Sequence, residues 1–268
     1  MLCSDHRQPR ARTIILPVPM SSQSPPHRRR TVGVSLKMYF SLEQTVQYIQ
    51  DCTTLGQHSI AQDVDLFIIP DFLSLAAASK AIQLAAPSIM LGAQDCFWED
   101  EGAYTGEVSP KVLKSMGCQL VELGHAERRR LFHETDETVA MKATGVARNG
   151  MIPLVCVGER ILGTIAEAVE ECRPQIESIL QVVSGEVIFA YEPVWAIGQS
   201  KPASAERVVA VVKELRKLCE PREMRFIYGG SAGPGTFATM REGVDGLFLG
   251  RFAHDPQRLR EVIYEVGV

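Results

Sequence analysis

QLVELGHAERRRLFHETDETVAMKATGVARNGMIPLVCV, residues 119–157, limits the architectures that this chain can adopt. An apolar run at 119–123 is followed by a segment with helical apolar spacing at 134–150 and by a second apolar run at 152–157. Short apolar runs bounded by Gly, Pro or polar residues are typical of strands buried in a parallel sheet. The segment therefore predicts a strand, a helix and a second strand parallel to the first.

The same alternation extends in both directions from this segment. Segments of helical periodicity separate eight candidate strands, at 31–37, 64–69, 89–93, 119–123, 152–157, 187–191, 225–228 and 245–250. Eight repeats of strand and helix are the number that closes a (β/α)8 barrel. An open doubly wound sheet is the alternative, but no G-x-G-x-x-G motif follows an early strand to support it.

Length and composition fit one domain with a sizeable core. The chain has 268 residues, of which 46% are hydrophobic, and a net charge of -4. Such mild acidity provides no general attraction to nucleic acid or to a membrane surface, and no apolar run approaches the ~20 residues that span a bilayer. The seven cysteines are dispersed without a C-x-x-C pair, which predicts reduced, mostly buried thiols in an intracellular protein.

Residues 1–30 differ from the rest of the chain. They are rich in Arg, Ser and Pro and contain one acidic residue, so we expect a disordered or dispensable tail before a barrel at 31–268. The composition loosely resembles an organellar transit peptide, but five prolines disfavour the amphipathic helix that such peptides need. Translation from Met20 is an alternative start. We expect a cytoplasmic protein.

Polar residues stand at the predicted ends of several strands. Lys37 ends the first strand, His125 and Glu127 follow the fourth, and Glu192 follows the sixth. Alternation along the first strand turns Lys37 toward the barrel interior. Because active sites of (β/α)8 barrels form at the carboxyl ends of the strands, we expect these four side chains to converge.

This set of side chains suits proton transfer next to a carbonyl. Such chemistry needs a carboxylate base, an electrophile that polarises the carbonyl, and a cation that holds the enediolate charge. Glu192 is the candidate base. His125 precedes a helical segment whose dipole disfavours the imidazolium, so it can remain neutral and donate a hydrogen bond. Lys37 supplies the positive charge.

A lid and an anion site are predicted around these residues. PVWAIGQSK, residues 193–201, has a stiff entry and a small-residue tip, as expected of a loop that closes over a site and excludes water. The backbone amides of Gly198, Ser231 and Gly250 are candidates to bind a phosphate. Taken singly, each of these features is better explained by a cap, a turn or a salt bridge, and it is their combination at the ends of the right strands that favours the functional interpretation.

Six segments together resemble the triosephosphate isomerase family. They are VSLKMY, GAQDCFWEDEGAYTGEVSP, LGHAERRRLFHETDETVAMK, VCVGE, AYEPVWAIG and IYGGS, in that order from about residue 33 to the C-terminus. The resemblance implies a TIM barrel that converts glyceraldehyde 3-phosphate to dihydroxyacetone phosphate in glycolysis and gluconeogenesis, with no metal or organic cofactor. It implies the roles given above for Lys37, His125 and Glu192, and makes Glu127 a helper carboxylate beside the lysine. It also implies a homodimer in which Thr105 reaches the neighbouring site.

Five departures from the family pattern concern the surroundings of the substrate. Ser35 replaces the usual Asn, Arg251 a Gly, Ala126 a Ser, Glu122 an apolar residue, and the lid reads GQSKPA where GTGKTA is common. The Ser before the lysine and the Gly-Arg after the last strand resemble the tetrulose-phosphate isomerase branch. Ser35 leaves room for an extra hydroxymethyl group, and Arg251 can reach its hydroxyl or bind the phosphate as a planar fork.

Four functions are therefore considered. Overall similarity favours the three-carbon activity, and the four-carbon paralogue is the alternative. A non-catalytic barrel that binds sugar phosphate or a protein partner is disfavoured because Lys37, His125 and Glu192 are all present. A Schiff-base aldolase rests on Lys37 alone. The substrate in either isomerase is a small phosphorylated sugar.

Overall fold

The computed structural model describes residues 29–199 and 202–267. The predicted tail up to residue 28, the alternative start at Met20, and residues 200–201 of the predicted lid lie outside the described residues.

The predicted closed (β/α)8 barrel is confirmed. Eight parallel strands pair in chain order, and the last pairs with the first. The strands are β1 (Arg30–Ser35), β2 (Val64–Ile69), β3 (Ile89–Ala93), β4 (Leu120–Leu123), β5 (Ile152–Val157), β6 (Ile188–Tyr191), β7 (Arg225–Gly229) and β8 (Gly246–Leu249). Each lies within two residues of its predicted position, because apolar runs bounded by turn residues mark buried strands closely.

Helices follow the strands and cover the outside of the barrel. They are α1 (Leu42–Cys52), α2 (Leu55–Ala61), α3 (Leu75–Ala85), α4 (Pro110–Ser115), α5 (Ala126–Phe132), α6 (Asp136–Arg148), α7 (Ile165–Val182), α8 (Ala205–Cys219), α9 (Thr236–Met240) and α10 (Pro256–Gly267). Capping boxes at Ser41, Thr135 and Thr164 begin α1, α6 and α7. These boxes satisfy backbone N–H groups that the first turn leaves without partners.

Strand alternation divides the core into two layers. One layer fills the barrel and the other lies between the strands and the helices. The interior layer comprises Phe67, Ile69, Leu120, Leu154, Cys156, Ile188, Ala190, Ile227 and Phe248. Gly33 belongs to the interior face of β1, where the ring of Phe67 occupies the space that a side chain would take. The barrel is therefore a packed core that closes the bottom of any site at its mouth.

Two further sequence expectations concern the state of the cysteines and the presence of a membrane span. The cysteines in the described part of the chain are free and buried: Cys52, Cys96, Cys118, Cys156, Cys172 and Cys219. Within residues 29–199 and 202–267, no helix has the length and apolar character needed to cross a membrane.

The closed barrel predicts that Gly246 does not tolerate a side chain. A Cβ on Gly246 would overlap the backbone carbonyl of Thr31, its partner on β1. We expect Gly246→Ala to lower the free energy of unfolding by about 1–3 kcal/mol or more, because neither backbone can yield without breaking the ladder. Gly185→Ala is the control, since a Cβ there meets nothing within 4 Å. Urea denaturation checks both variants, and equal stabilities would contradict the close packing of β1 and β8.

Candidate active site

A cleft of about 660 Å³ opens at the carboxyl ends of the strands. All nine predicted catalytic and substrate-binding residues line it: Ser35, Lys37, His125, Glu127, Glu192, Gly198, Ser231, Gly250 and Arg251. The structure thus brings together residues that are up to 216 positions apart, Ser35 to Arg251, because every strand end meets at one mouth.

Lys37 lies just beyond β1 in a left-handed backbone conformation. Its φ is 49°, which is uncommon for a residue with a side chain and occurs most often where function fixes the backbone. Its Nζ donates to Glu127 Oε1 at 2.8 Å and lies 3.5 Å from His125 Nε2. Burial opposes the charge of Lys37, but the hydrogen bond to Glu127 and the surrounding carboxylates outweigh it and raise the lysine's pKa.

His125 is held in one orientation by the start of α5. It is the N-cap residue, and the backbone N–H of Glu127 donates to its Nδ1 at 3.1 Å. Because an amide nitrogen only donates, Nδ1 must be the unprotonated acceptor. A neutral His125 therefore carries its proton on Nε2, the ring nitrogen that lies 3.4 Å from Glu192 Oε2.

Glu192 is a buried carboxylate directly after β6. Its Oε2 has no hydrogen-bond partner among the described residues. Two glycines make room for it: a Cβ on Gly229 would collide with its carboxylate, and a Cβ on Gly158 would collide with its backbone carbonyl. A carboxylate oxygen that is buried and unpaired keeps a lone pair available for a substrate proton.

Glu122 and Ser35 form a polar pair inside the barrel. Ser35 Oγ donates to Glu122 Oε2 at 3.0 Å, and both side chains are buried. Burial is the main cause that raises the pKa of Glu122 to about 7, with the nearby charge of Glu192 acting in the same direction. His125 and Lys37 partly oppose this rise. The two residues that depart from the family pattern at positions 35 and 122 therefore contact one another.

The phosphate-binding candidates lie on the loops after β6, β7 and β8. Gly198 and Gly230 adopt φ values of 75° and 122°, which glycine tolerates. Ser231 Oγ donates to the backbone carbonyl of Gln199 at 2.6 Å, so the loop after β7 contacts the segment predicted as a lid. Gly250 directly follows β8 and leads into a 3₁₀ turn, Arg251–His254.

Arg251 is exposed at the rim of the cleft. Its guanidinium carbon lies 5.8 Å from the centre of the Tyr39 ring, a weak cation–π contact that leaves its donors available. Arg258, which no sequence pattern singled out, also lines this side of the cleft. The mouth thus has two guanidinium groups near the anion-binding loops.

Glu159 is a functional candidate that the sequence analysis did not select. It is buried and accepts hydrogen bonds from Tyr191 Oη at 3.0 Å, from Trp195 Nε1 at 3.0 Å and from Arg207 at 2.9 Å. Trp195 belongs to the lid entry, so Glu159 fixes one end of the lid. Its position at the end of β5, in VCVGE, was the signal that could have identified it.

Thr105 does not line the cleft. It is exposed in a turn between β3 and α4, and its contact with a neighbouring subunit stays a prediction. Among residues 29–199 and 202–267, no three His, Cys, Asp or Glu side chains are grouped as metal ligands would be.

A comparison with protein families places the chain in a known enzyme family. The triosephosphate isomerase family profile matches residues 30–266. The chain belongs to the triosephosphate isomerase family. The expected isomerase is thereby confirmed, and so is the resemblance on which the expectation rested.

Individual relatives in the family separate by substrate. The chain is 44% identical over 250 residues, 89% of its length and 96% of the relative's, to the L-erythrulose-1-phosphate isomerase of Pectobacterium atrosepticum. It is 39% identical over 238 residues to the enzyme of the same name from Mesorhizobium japonicum, covering 83% and 91% of the two chains. It is 35% identical over 251 residues to the triosephosphate isomerase of Dictyoglomus thermophilum, covering 88% and 99%. These relatives favour the four-carbon alternative over the three-carbon activity that overall similarity suggested.

Glu122 predicts an unusual dependence of stability on pH. Its pKa is about 7 in the folded chain, against an ordinary 4.5. From pH 4.5 to 7 the unfolded chain loses this proton while the folded chain keeps it, so unfolding becomes easier as the pH rises. Relative to Glu122→Gln, the wild type should lose up to about 3 kcal/mol of stability across this interval and change little above it. Urea denaturation at several pH values measures the difference, and a difference that is flat with pH would contradict the prediction.

Proposed function

We propose that this chain interconverts L-erythrulose 1-phosphate and erythrulose 4-phosphate through an enediolate. The substrate has its carbonyl at C2, its phosphate on C1 and a hydroxyl-bearing carbon at C3. Removing the C3 proton gives a 2,3-enediolate, and returning a proton to C2 moves the carbonyl to C3. No atom is gained or lost, so the reaction needs only a base, a hydrogen-bond donor and a cation.

Glu192 is proposed as the base that carries the proton between C3 and C2. The support is its burial and the unpaired Oε2 beside the imidazole. A base that is held by a salt bridge would have to break that contact before taking a carbon-bound proton. Among the described residues, the nearest group to Glu192 Oε2 is His125 Nε2 at 3.4 Å, which forms an ion pair only if the imidazole is protonated, and no Lys or Arg holds the carboxylate.

His125 and Lys37 are proposed to stabilise the enediolate. His125 Nε2 lies 3.4 Å from Glu192 Oε2, so an Nε2–H group could donate to the oxygens on C2 and C3 in turn while Glu192 moves the proton. Lys37 keeps its proton because Glu127 holds it at 2.8 Å, which provides a fixed positive charge. Fixed donors that need not reorganise during reaction are the effective way to stabilise developing negative charge.

The phosphate is proposed to bind the amides of Gly198, Ser231 and Gly250, with Arg251 at the rim. Lid closure through Trp195 would then exclude water and protect the enediolate from losing phosphate. We further propose a cytoplasmic homodimer with Thr105 at the subunit contact. The strongly exposed apolar side chains of Met38 and Leu73, 93% and 90% exposed, support a protein surface that a second chain covers.

The substrate assignment rests on one observation above all: relatives that cover almost the whole chain at 39–44% identity are erythrulose-phosphate isomerases. Triosephosphate isomerisation, with its place in glycolysis and gluconeogenesis, is the second candidate because the Dictyoglomus relative is 35% identical. Both reactions use the same residues in the same roles.

A substrate panel decides between these candidates. We expect kcat/KM for L-erythrulose 1-phosphate to exceed that for dihydroxyacetone phosphate by roughly 100-fold or more, because a site that binds a substrate hydroxyl rejects the analogue without it. Unphosphorylated erythrulose is the control and should turn over poorly, since phosphate binding closes the lid. Efficient turnover of the triose with none of the tetrulose would refute the four-carbon proposal.

Glu192→Asp tests the base. The shorter side chain withdraws the carboxylate by more than 1 Å, and misplacement on that scale costs on the order of 100-fold. We expect the loss in kcat, with KM little changed, in steady-state kinetics with L-erythrulose 1-phosphate. Glu170→Asp, on the exposed face of α7, makes the same chemical change away from the cleft and should retain activity. An unchanged kcat in Glu192→Asp would exclude Glu192 as the base.

A further inference from the structure

Glu122 lies in a position that folding alone does not explain. Its neighbours Val121 and Leu123 pack in the outer layer, while Leu120 belongs to the barrel interior. Alternation therefore places Glu122 inside the barrel, one step above the apolar layer and at the bottom of the cleft that it lines. An apolar residue of similar size would avoid the cost of burying a carboxyl here.

Ser35 satisfies only part of the hydrogen-bonding capacity of Glu122. A carboxylate has two oxygens and about four acceptor positions, and a Ser hydroxyl has one proton to donate. That proton goes to Glu122 Oε2 at 3.0 Å. The contact also crosses the barrel, from β1 to β4, which are not adjacent strands. The pair thus forms a polar floor of the cleft below Lys37 and His125. The Glu122 carboxylate in this floor still has unused hydrogen-bond acceptor positions.

The proposed substrate places a neutral hydroxyl at this end of the cleft. Relative to the triose enediolate, the tetrulose enediolate has a hydroxymethyl group on the reacting carbon farther from the phosphate. Gly250 and the phosphate loop follow β8, and β4 lies four strands from β8 in either direction around the barrel. With the phosphate bound after β8, the hydroxymethyl end points toward the β4 side. A carboxylate there would repel a phosphate, but it would accept a hydrogen bond from a hydroxyl group.

We propose that Glu122, positioned by Ser35, binds the C4 hydroxyl of the four-carbon substrate and thereby selects chain length. The inference rests on the proposed function. It assigns Glu122 a specificity role and leaves proton transfer to Glu192 and His125. A three-carbon substrate has only a hydrogen at this place, so Glu122 would be left without its ligand and the substrate would be disfavoured.

The test combines a change in the enzyme with the matching change in the substrate. L-erythrulose 1-phosphate is compared with its 4-deoxy analogue, in which a methyl group replaces the hydroxymethyl group, for the wild type and Glu122→Leu. We expect kcat/KM of the wild type to fall roughly 100-fold for the 4-deoxy analogue. Glu122→Leu should lose the same factor on the natural substrate and discriminate between the two compounds by less than about 3-fold, since the hydroxyl partner is gone.

Three controls separate a specificity role from a structural one. The Ki of 2-phosphoglycolate, which has a phosphate but no hydroxymethyl group, should be unchanged in Glu122→Leu. Glu170→Gln removes an exposed carboxylate and should leave the ratio of kcat/KM for the natural substrate to that for the 4-deoxy analogue unchanged. Glu122→Gln keeps the side-chain volume and, if Glu122→Leu does not fold, takes its place, with an expected discrimination between that of the wild type and that of Glu122→Leu.

The outcomes distinguish this inference from the proposed function. If the wild type does not turn over L-erythrulose 1-phosphate, the proposed function fails and the inference fails with it. If the wild type turns over this substrate but both enzymes discriminate equally against the 4-deoxy analogue, only the role of Glu122 is overturned. An equal loss on both substrates, accompanied by weaker 2-phosphoglycolate binding, would likewise make Glu122 structural.

Discussion

Every part of the cleft depends on the hydrogen-bonded closure of the sheet between β1 and β8. That pairing runs from Thr31 opposite Gly246 to Val34 opposite Leu249. All eight strands are parallel, and closure arranges them in a ring, so side chains that follow different strands meet at one mouth. A sheet left open between these strands would separate Ser35 from Gly250 and Arg251. The close approach that only glycine permits at Gly246 is therefore a condition for the site as well as for the fold.

The cleft concentrates ionisable groups that would each be costly to bury alone. Lys37 and Glu127 offset one another at 2.8 Å, and the amide of Glu127 orients His125. Glu192 keeps an unpaired oxygen, and Glu122 keeps a raised pKa. Burial of partly satisfied polar groups lowers stability, and proteins tolerate such groups mainly at functional sites. The groups left least satisfied by the fold, Glu192 and Glu122, are those to which we assign a substrate atom.

The sequence predicted the barrel well and the contacts within the site less completely. Strand positions and the convergence of Lys37, His125 and Glu192 follow from alternation and from the common direction of parallel strands. The pairing of Ser35 with Glu122 depends on the barrel's diameter and stagger, which no local pattern encodes. Position 122 could be noted only as a charge in an apolar run. The sequence analysis favoured the three-carbon substrate because the six segments that resemble the family are long, whereas only a few single positions indicated the four-carbon branch.

Under the proposed function, proton transfer and chain-length selection are separable because they depend on different depths of the barrel. We propose that proton transfer uses groups at the strand ends, Lys37, His125 and Glu192, and that the phosphate binds the loops beyond them. In the proposed pose, the end of the substrate away from the phosphate meets the strands themselves, where β1 and β4 present Ser35 and Glu122. Changing two interior side chains alters the space and polarity of this floor without moving the catalytic groups above it. The same barrel can therefore acquire a longer substrate by substitutions inside its strands, while loops and strand ends keep the reaction unchanged.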